Sequence, residues 1–299
     1  AFAGLRANVG LIARYGERCG VPQMVAFAAD RLARGDNEPR DLYRCWDSPY
    51  DWLCDLAWEM PRDVPAYRPP TRVLFEDFEL FIAREFADGE RGLYLAVKGG
   101  HNDTSHNHND VGAVSVFADG NPILIDAGAG TYTAKTFGPE RYTVWNTRSD
   151  YHNLPTVCGQ DQPHGREYRA TDFRAGEDFC TMELRDAYGA DAGIRSFRRT
   201  AALRDGKVTL TDAISLCTAG EVVFRLLTDA EPTDRTEESF VLHGRRLTYP
   251  AGMTLTVEEV EHSSPETARI PAAWGVPTLW RVNLTSKTAT EHHLTLEIQ

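Results

Sequence analysis

No run of 18 apolar residues occurs anywhere in the 299-residue sequence, which excludes a helical membrane span. Cysteine is sparse and scattered: Cys19, Cys45, Cys54, Cys158, Cys180 and Cys217 contain no CxxC pair. That spacing excludes a zinc ribbon, favours unpaired thiols and leans toward a reducing compartment. Positive charge is also short, with 32 Lys and Arg against 44 Asp and Glu and a net charge of −12. A chain so acidic is a poor partner for nucleic acid, whose binding needs a basic surface. No solenoid repeat is present. The numbering opens without an initiator Met or a signal-peptide pattern, so the sequence reads as a fragment or a processed product. Cytoplasm and cell envelope (periplasm) both remain open as locations.

What is present divides by period. Over residues 1–60 apolar residues recur near every 3.6 positions, as in Leu5, Val9, Leu11 and Ile12, then Met24, Val25, Phe27, Ala28 and Leu32. Gly20-Val21-Pro22 and Gly35-Asp36-Asn37 break this segment, predicting helices near 2–18, 22–34 and 40–58. Residues 61–70, PRDVPAYRPP, carry four prolines and read as a linker. From residue 71 to 299 the period becomes two. Leu93, Leu95 and Val97 alternate with polar or small neighbours, and IRSFRRTAAL and KVTLTDAISL flank the turn Arg204-Asp205-Gly206. Further strand-like runs follow at EVVFRLL, SFVLHGRRLTY, TLTVEEV, TLWRVNL and HHLTLEI, with no convincing helix among them. The expected fold is mainly β: a large antiparallel β-sandwich preceded by a short helical segment.

The chemistry concentrates at SHNHND, residues 105–110. If residues 110–118 form a strand entered from this stretch, His106 and His108 lie at i and i+2 and share a face. The next run, Pro122 to Asp126, is apolar and ends in a carboxylate, which is costly to bury without an arginine, backbone donors or a cation. The turn Asp119-Gly120-Asn121 would fold Asp126 back beside the histidines. His152, in the loop SDYHNLPT, supplies a third imidazole. His, Asp and His make a good nitrogen–oxygen set for Zn²⁺, with water as fourth ligand. A His-x-His pair equally fits two hydrogen-bonded surface histidines. Between Thr131 and Arg174 six basic residues face five acidic ones, so a local anion site is compatible with the acidic total. That segment holds Tyr132, Arg141 and Tyr142, and a phenol there either packs or relays protons.

The run GGHNDTSHNHNDVGAVSVFADGNPILIDAGAGTYT, followed by RYTVWNTRSDYHNLPTVCGQDQ, closely resembles the signature of heparinase II/III-like polysaccharide lyases. The similarity is strongest over residues 95–165 and continues more loosely to the C-terminal end. It implies an N-terminal α/α toroid joined to a C-terminal antiparallel β-sandwich, and cleavage of uronic-acid polysaccharides, glycosaminoglycan or alginate, by β-elimination. It makes His108, Asp126 and His152 zinc ligands and His106 an acid/base or substrate-facing residue. It also implies a catalytic tyrosine, here Tyr142 with Tyr132 in reserve; Tyr132 and Arg141 are candidates for binding substrate. In the family the toroid supplies the main catalytic tyrosine and the group that neutralises the substrate carboxylate. Here only residues 1–60 precede the linker, as if they were a toroid's last helices, so the toroid becomes a required partner. Two rival classes remain: a zinc-stabilised, non-catalytic carbohydrate-binding β-sandwich, and a cupin-like metalloenzyme. The cupin signature lacks its glutamate, since Gly112 and Ala113 stand where it is expected.

Overall fold

The computed structural model describes residues 9–34, 61, 63–87 and 91–299. It divides into a helical unit and a β unit, with the division between Pro69 and Pro70. In the helical unit, α2 (Pro22–Ala33) stands within its expected span of 22–34, and the described part of α1 (Val9–Cys19) runs one residue past the expected end at 18. The third expected helix, 40–58, lies outside the described residues. Gly20, at φ 67°, lets α1 end in a left-handed turn, and Pro22 opens α2 at a position that needs no intrahelical N–H. The pair closes on Val9, Ala13 and Ala28, flanked by Ile12 and Leu32. A Cβ on Gly16 would stand 2.7 Å from that of Met24, so the glycine permits the close approach.

The β unit opens with β1 (Arg72–Phe75), β2 (Leu80–Arg84), β3 (Leu93–Lys98) and the two-residue β4 (His101–Asn102). The hairpin β5 (Val114–Ala118) and β6 (Asn121–Leu124) follows, then β7 (Pro155–Val157), β8 (Gly165–Arg169), β9 (Thr171–Ala175) and β10 (Phe179–Glu183). The longest pair is β11 (Ile194–Arg204) with β12 (Lys207–Gly220), after which come β13 (Val222–Thr228), β14 (Ser239–Leu242) and β15 (Arg245–Thr248). The chain closes with β16 (Thr254–Glu259), the one-turn helix α3 (Ile270–Ala273), β17 (Trp280–Thr285) and β18 (Ala289–Ile298). Among the described residues every strand pairing is antiparallel. A five-stranded sheet runs β1-β2-β3-β5-β6, a seven-stranded one β14-β15-β18-β12-β11-β10-β9, and a four-stranded one β16-β17-β13-β7. The β-sandwich reading therefore holds. Two details differ. SFVLHGRRLTY is two strands rather than one, because His243 (φ 47°) and Gly244 (φ 78°) turn the chain back. The short α3 also sits among runs that carried no helical pattern.

Strand alternation explains the core. β12 buries Val208, Leu210, Ile214 and Leu216 on one face and leaves the intervening residues half-exposed. Leu93, Leu95, Val97, Val114 and Val116 of the five-stranded sheet share one apolar cluster with Phe197, Ala201, Leu210 and Leu296 of the seven-stranded sheet. One buried-face position of β12 is a carboxylate: Asp212 is 0% exposed. Its cross-strand partner is Arg199 on β11, whose guanidinium grips it with bonds of 2.7 and 2.6 Å. Arg199 Nη1 also donates to Gly112 O at 2.7 Å and Asn153 O at 2.9 Å. The pair thus anchors two loops to the sheet. Breaking such a pair leaves an uncompensated buried charge. Arg199→Ala is expected to cost about 3–5 kcal/mol in urea unfolding; a loss below about 1 kcal/mol would mean that the pair is dispensable.

Candidate active site and metal centre

Three chain segments converge above the five-stranded sheet. The first is the loop after β4, residues 103–113, containing SHNHND. It is not an extended strand entry, as the two-residue spacing suggested, because His106 has φ 57° and regular pairing starts only at Val114. His106 is consequently exposed while His108 is half-buried. Both side chains nevertheless line one cavity of about 420 Å³, with Lys98, Ser105, Asp126 and Tyr132 among its walls. The second segment is the exit of β6, where the tight turn at Asp119 (φ 50°) and Gly120 (φ 79°) returns the chain and brings Asp126 beneath the histidines. Gly128 N–H donates to Asp126 Oδ1 at 2.7 Å. The third is a string of 3₁₀ turns, Ala134–Phe137, Arg141–Thr143, Trp145–Thr147 and Ser149–Tyr151, which delivers His152.

The ligand atoms of His108, Asp126 and His152 all lie within 4.8 Å of one another. The donor chemistry of His152 tests whether they suit a cation. Its ring is fully buried, and its Nε2 lies 2.9 Å from Asn146 O, an acceptor, so Nε2 carries the proton. Its Nδ1 has no hydrogen-bond partner and faces Asp126 Oδ2 at 3.4 Å. That separation is long for a hydrogen bond but matches the edge of a tetrahedron: two ligands each about 2.0–2.1 Å from an ion are about 3.3 Å apart. The Asp126 side chain keeps 33% of its surface open to the cavity, which leaves room for a fourth ligand. The residues fit a divalent ion.

Charges agree with that fit. Burial disfavours the His108 cation and the neighbouring His152 adds repulsion, together lowering its pKa to about 4, so His108 offers a free lone pair at neutral pH. Burial alone would depress His152, but the Asp126 carboxylate wins and raises it. Burial alone would likewise raise Asp126, yet the two imidazoles and Gly128 N–H hold it well below the usual carboxylate range.

Buried amides hold these segments together. Asn153 (φ 57°), next to His152, donates to Val114 O at 2.7 Å and Ile125 O at 2.9 Å, and accepts from Leu227 N at 2.7 Å. Gln162 bonds Val111 through both its amide oxygen and nitrogen, at 3.1 and 2.7 Å. Asn107, between the histidines, has every amide valence used: Thr104 N and Oγ1 donate to its oxygen, and its nitrogen donates to Asn109 Oδ1 and Tyr142 Oη. None of the three amide residues stood out in the sequence, because buried Asn and Gln follow no period. Arg141, expected against substrate, is only 8% exposed and donates to Asn107 O and Thr136 O at 2.8 and 2.6 Å. It braces the loop from beneath. Tyr132, by contrast, is 50% exposed, lies 3.1 Å from His106 Nδ1, and forms an aromatic rim with His106 and Phe137. The one carboxylate of the group, Asp126, comes from the exit of β6, and among the described residues no glutamate joins it; this departs from the cupin alternative.

Residues 68–274 match the family model described as heparinase II/III-like, C-terminal. The chain belongs to this heparinase II/III-like family. No curated protein sequence matches it. Its fold is similar to that of heparan sulfate lyase HepC from Pedobacter heparinus, at 13% identity and TM-score 0.59 over 97% of this chain and 41% of that one. A heparinase III matches 92% of this chain with 40% of its own, at 15% identity and TM-score 0.59. A mutant of chondroitin AC lyase from Streptomyces coelicolor A3 matches 97% with 41% of its own, at 14% identity and TM-score 0.52. At these identities the likeness is one of fold, and this heparinase II/III-like chain spans about two fifths of the length of those structures.

Because an ion must displace the proton held between His152 and Asp126, metal affinity should fall as pH drops below the raised His152 pKa. The expected slope is about tenfold per pH unit for one proton, flat above that pKa. Calorimetric titration with a divalent ion across pH, in buffers of differing ionisation heat, checks this. Affinity independent of pH throughout would show that His152 is not a ligand.

Proposed function

We propose that the chain is the β-sandwich part of a polysaccharide lyase that cleaves a uronic-acid-containing polymer by β-elimination, with Zn²⁺ held by His108, Asp126 and His152. The observation that carries the reading is the convergence of those three groups beneath a cavity whose rim presents His106 and Tyr132. Family membership and the folds of the matched lyases support it, and those lyases act on acidic polysaccharides by name.

The chemistry sets three requirements. The C5 proton of a uronate is weakly acidic because the adjacent carboxylate is already negative. That carboxylate must be neutralised, the proton taken, and O4 of the departing sugar protonated. His106 is our base: with Nδ1–H donated to Tyr132 Oη, Nε2 keeps a lone pair for the C5 proton. Tyr142 is our acid. Burial raises its pKa, so it stands protonated and ready to donate. Tyr132 binds a sugar face beside His106, and Arg141 lends positive charge from below the loop. Bound zinc supplies a positive charge that offsets Asp126 and clamps the loop of His106 to the segment of His152.

Neutralising the substrate carboxylate falls to a toroid, of which residues 1–60 are the end in this reading, joined through 61–70. Exposed Tyr132 and Phe137 also suit a non-catalytic carbohydrate-binding surface. The two readings part on turnover. Full-length protein given heparan sulfate, chondroitin, hyaluronan or alginate is expected to generate the ultraviolet absorbance of a C4=C5 double bond on at least one polymer. His106→Ala should lower kcat by about 10²–10⁴-fold while keeping about one zinc per chain by elemental analysis. His108→Ala and Asp126→Ala should lose the zinc and unfold at lower temperature. Binding without unsaturated product on any uronate polymer would favour the carbohydrate-binding module.

A further inference from the structure

We propose that His164 is the proton partner of Tyr142, returning a proton to its phenol oxygen as that tyrosine protonates the leaving sugar. This rests on the lyase reading and adds a residue to it. His164 follows Pro163 at the start of β8, 22 residues from Tyr142 in sequence. In space its Nδ1 lies 2.7 Å from Tyr142 Oη, and the two rings stack with centroids 4.7 Å apart at 23°. On its far side, Nε2 faces Asp103 Oδ1 at 3.9 Å. Phenol, imidazole and carboxylate are thus neighbours, and the close contact is the one between phenol and imidazole. At 3.9 Å, with the His164 and Asp103 side chains 45% and 50% exposed, the carboxylate is beyond hydrogen-bond reach and offers only a screened attraction to a protonated ring.

Donor counting shows why the partner matters. Tyr142 Oη already accepts from Asn107 Nδ2 at 3.3 Å, and the Asn107 amide cannot flip because Thr104 donates to its oxygen. Two states of the pair bear on the transfer. With neutral His164 carrying its proton on Nε2, the phenol proton points at Nδ1 and is tied up. With protonated His164, Nδ1–H donates to Oη and the phenol proton is free to face the cavity. Tyr142, His164 and His106 line one open cavity of about 440 Å³, together with Thr104 and Phe137. A sugar there reaches both His106 and the phenol. The charged or titratable groups around the pair are Asp103 beside His164, Arg141 beneath Tyr142 and His106 across the cavity.

The step balances. The C5 proton moves to His106 Nε2, and its electron pair forms the C4=C5 bond as the C4–O4 bond breaks. The Tyr142 proton moves to O4, the Nδ1 proton of His164 moves to Oη, and His164 ends neutral, to be reprotonated from water. Burial makes the Tyr142 phenolate costly. Concerted return of a proton means that it never forms as a free anion. His164 acts through Tyr142 and is a positioning residue.

The test uses the full-length protein and whichever uronate polymer it cleaves. His164→Ala should lower kcat about 10²-fold with KM nearly unchanged, and added imidazole, entering the open cavity, should restore much of it. Imidazole should do nothing for Tyr142→Phe or for the double variant. A 4-deoxy-4-fluoro uronate, whose leaving group needs no proton, should be cleaved by His164→Ala at close to the wild-type rate. His164→Gln keeps a polar side chain without a transferable proton and should behave as the alanine variant does. An active enzyme that loses no kcat in His164→Ala, loses it equally on the fluoro substrate, or is not rescued by imidazole overturns the proposal. One readout does not depend on turnover: the ¹⁵N shift of His164 Nδ1 should move in Tyr142→Phe. If the wild type cleaves nothing while that shift moves, the lyase reading fails and the pairing stands; if the shift stays put, the pairing itself fails.

Discussion

The lone pair on His152 Nδ1 is the constraint around which the β unit is arranged. The ring is buried, its other nitrogen is committed to Asn146 O, and a carboxylate oxygen of Asp126 faces Nδ1 from 3.4 Å away. Lone pair against carboxylate is repulsive, so something positive must stand there, either a proton or a metal ion. A proton satisfies His152 and Asp126 alone. An ion satisfies His108 as well, whose depressed pKa leaves its own nitrogen free. Three segments far apart in sequence then share one bond partner, and the loops holding His106 and Tyr142 gain a fixed point.

Around that point lies a second layer of neutral amides and one buried ion pair. Asn153 ties the backbone next to His152 to β5, the exit of β6 and β13, and Arg199 reaches from the seven-stranded sheet to Asn153 O and Gly112 O. The same groups therefore stabilise the sandwich and position its chemistry. This layering also explains how an exposed, left-handed His106 can be held at a cavity rim: Asn107, next in the chain, is bonded to Thr104, Asn109 and Tyr142, and its carbonyl accepts from Arg141.

Much of the fold was legible because strands with one buried face alternate, and because Asp205-Gly206 and Asp119-Gly120 are turn dipeptides that tolerate positive φ. The grouping of His108, Asp126 and His152, which could hold a metal, was legible for a related reason: an apolar run that ends in Asp126 demands a partner. What escaped notice has no period. Asn107 and Gln162 look like ordinary loop amides until their bonds are counted, and His164 gains meaning only from a contact across 22 residues. The two-residue spacing of His106 and His108 misled because one left-handed residue ends the extended geometry. His243 hid a turn for the same reason, being a non-glycine at positive φ.

The most direct measurement is anomalous diffraction, recorded on either side of the zinc absorption edge, from crystals of the zinc-equilibrated protein. A single strong peak bonded to His152 Nδ1, Asp126 and His108, with His106 outside its coordination sphere, is the expected result. A water-sized feature at that position, or a peak bonded to His106 instead, would contradict the centre on which the site is built.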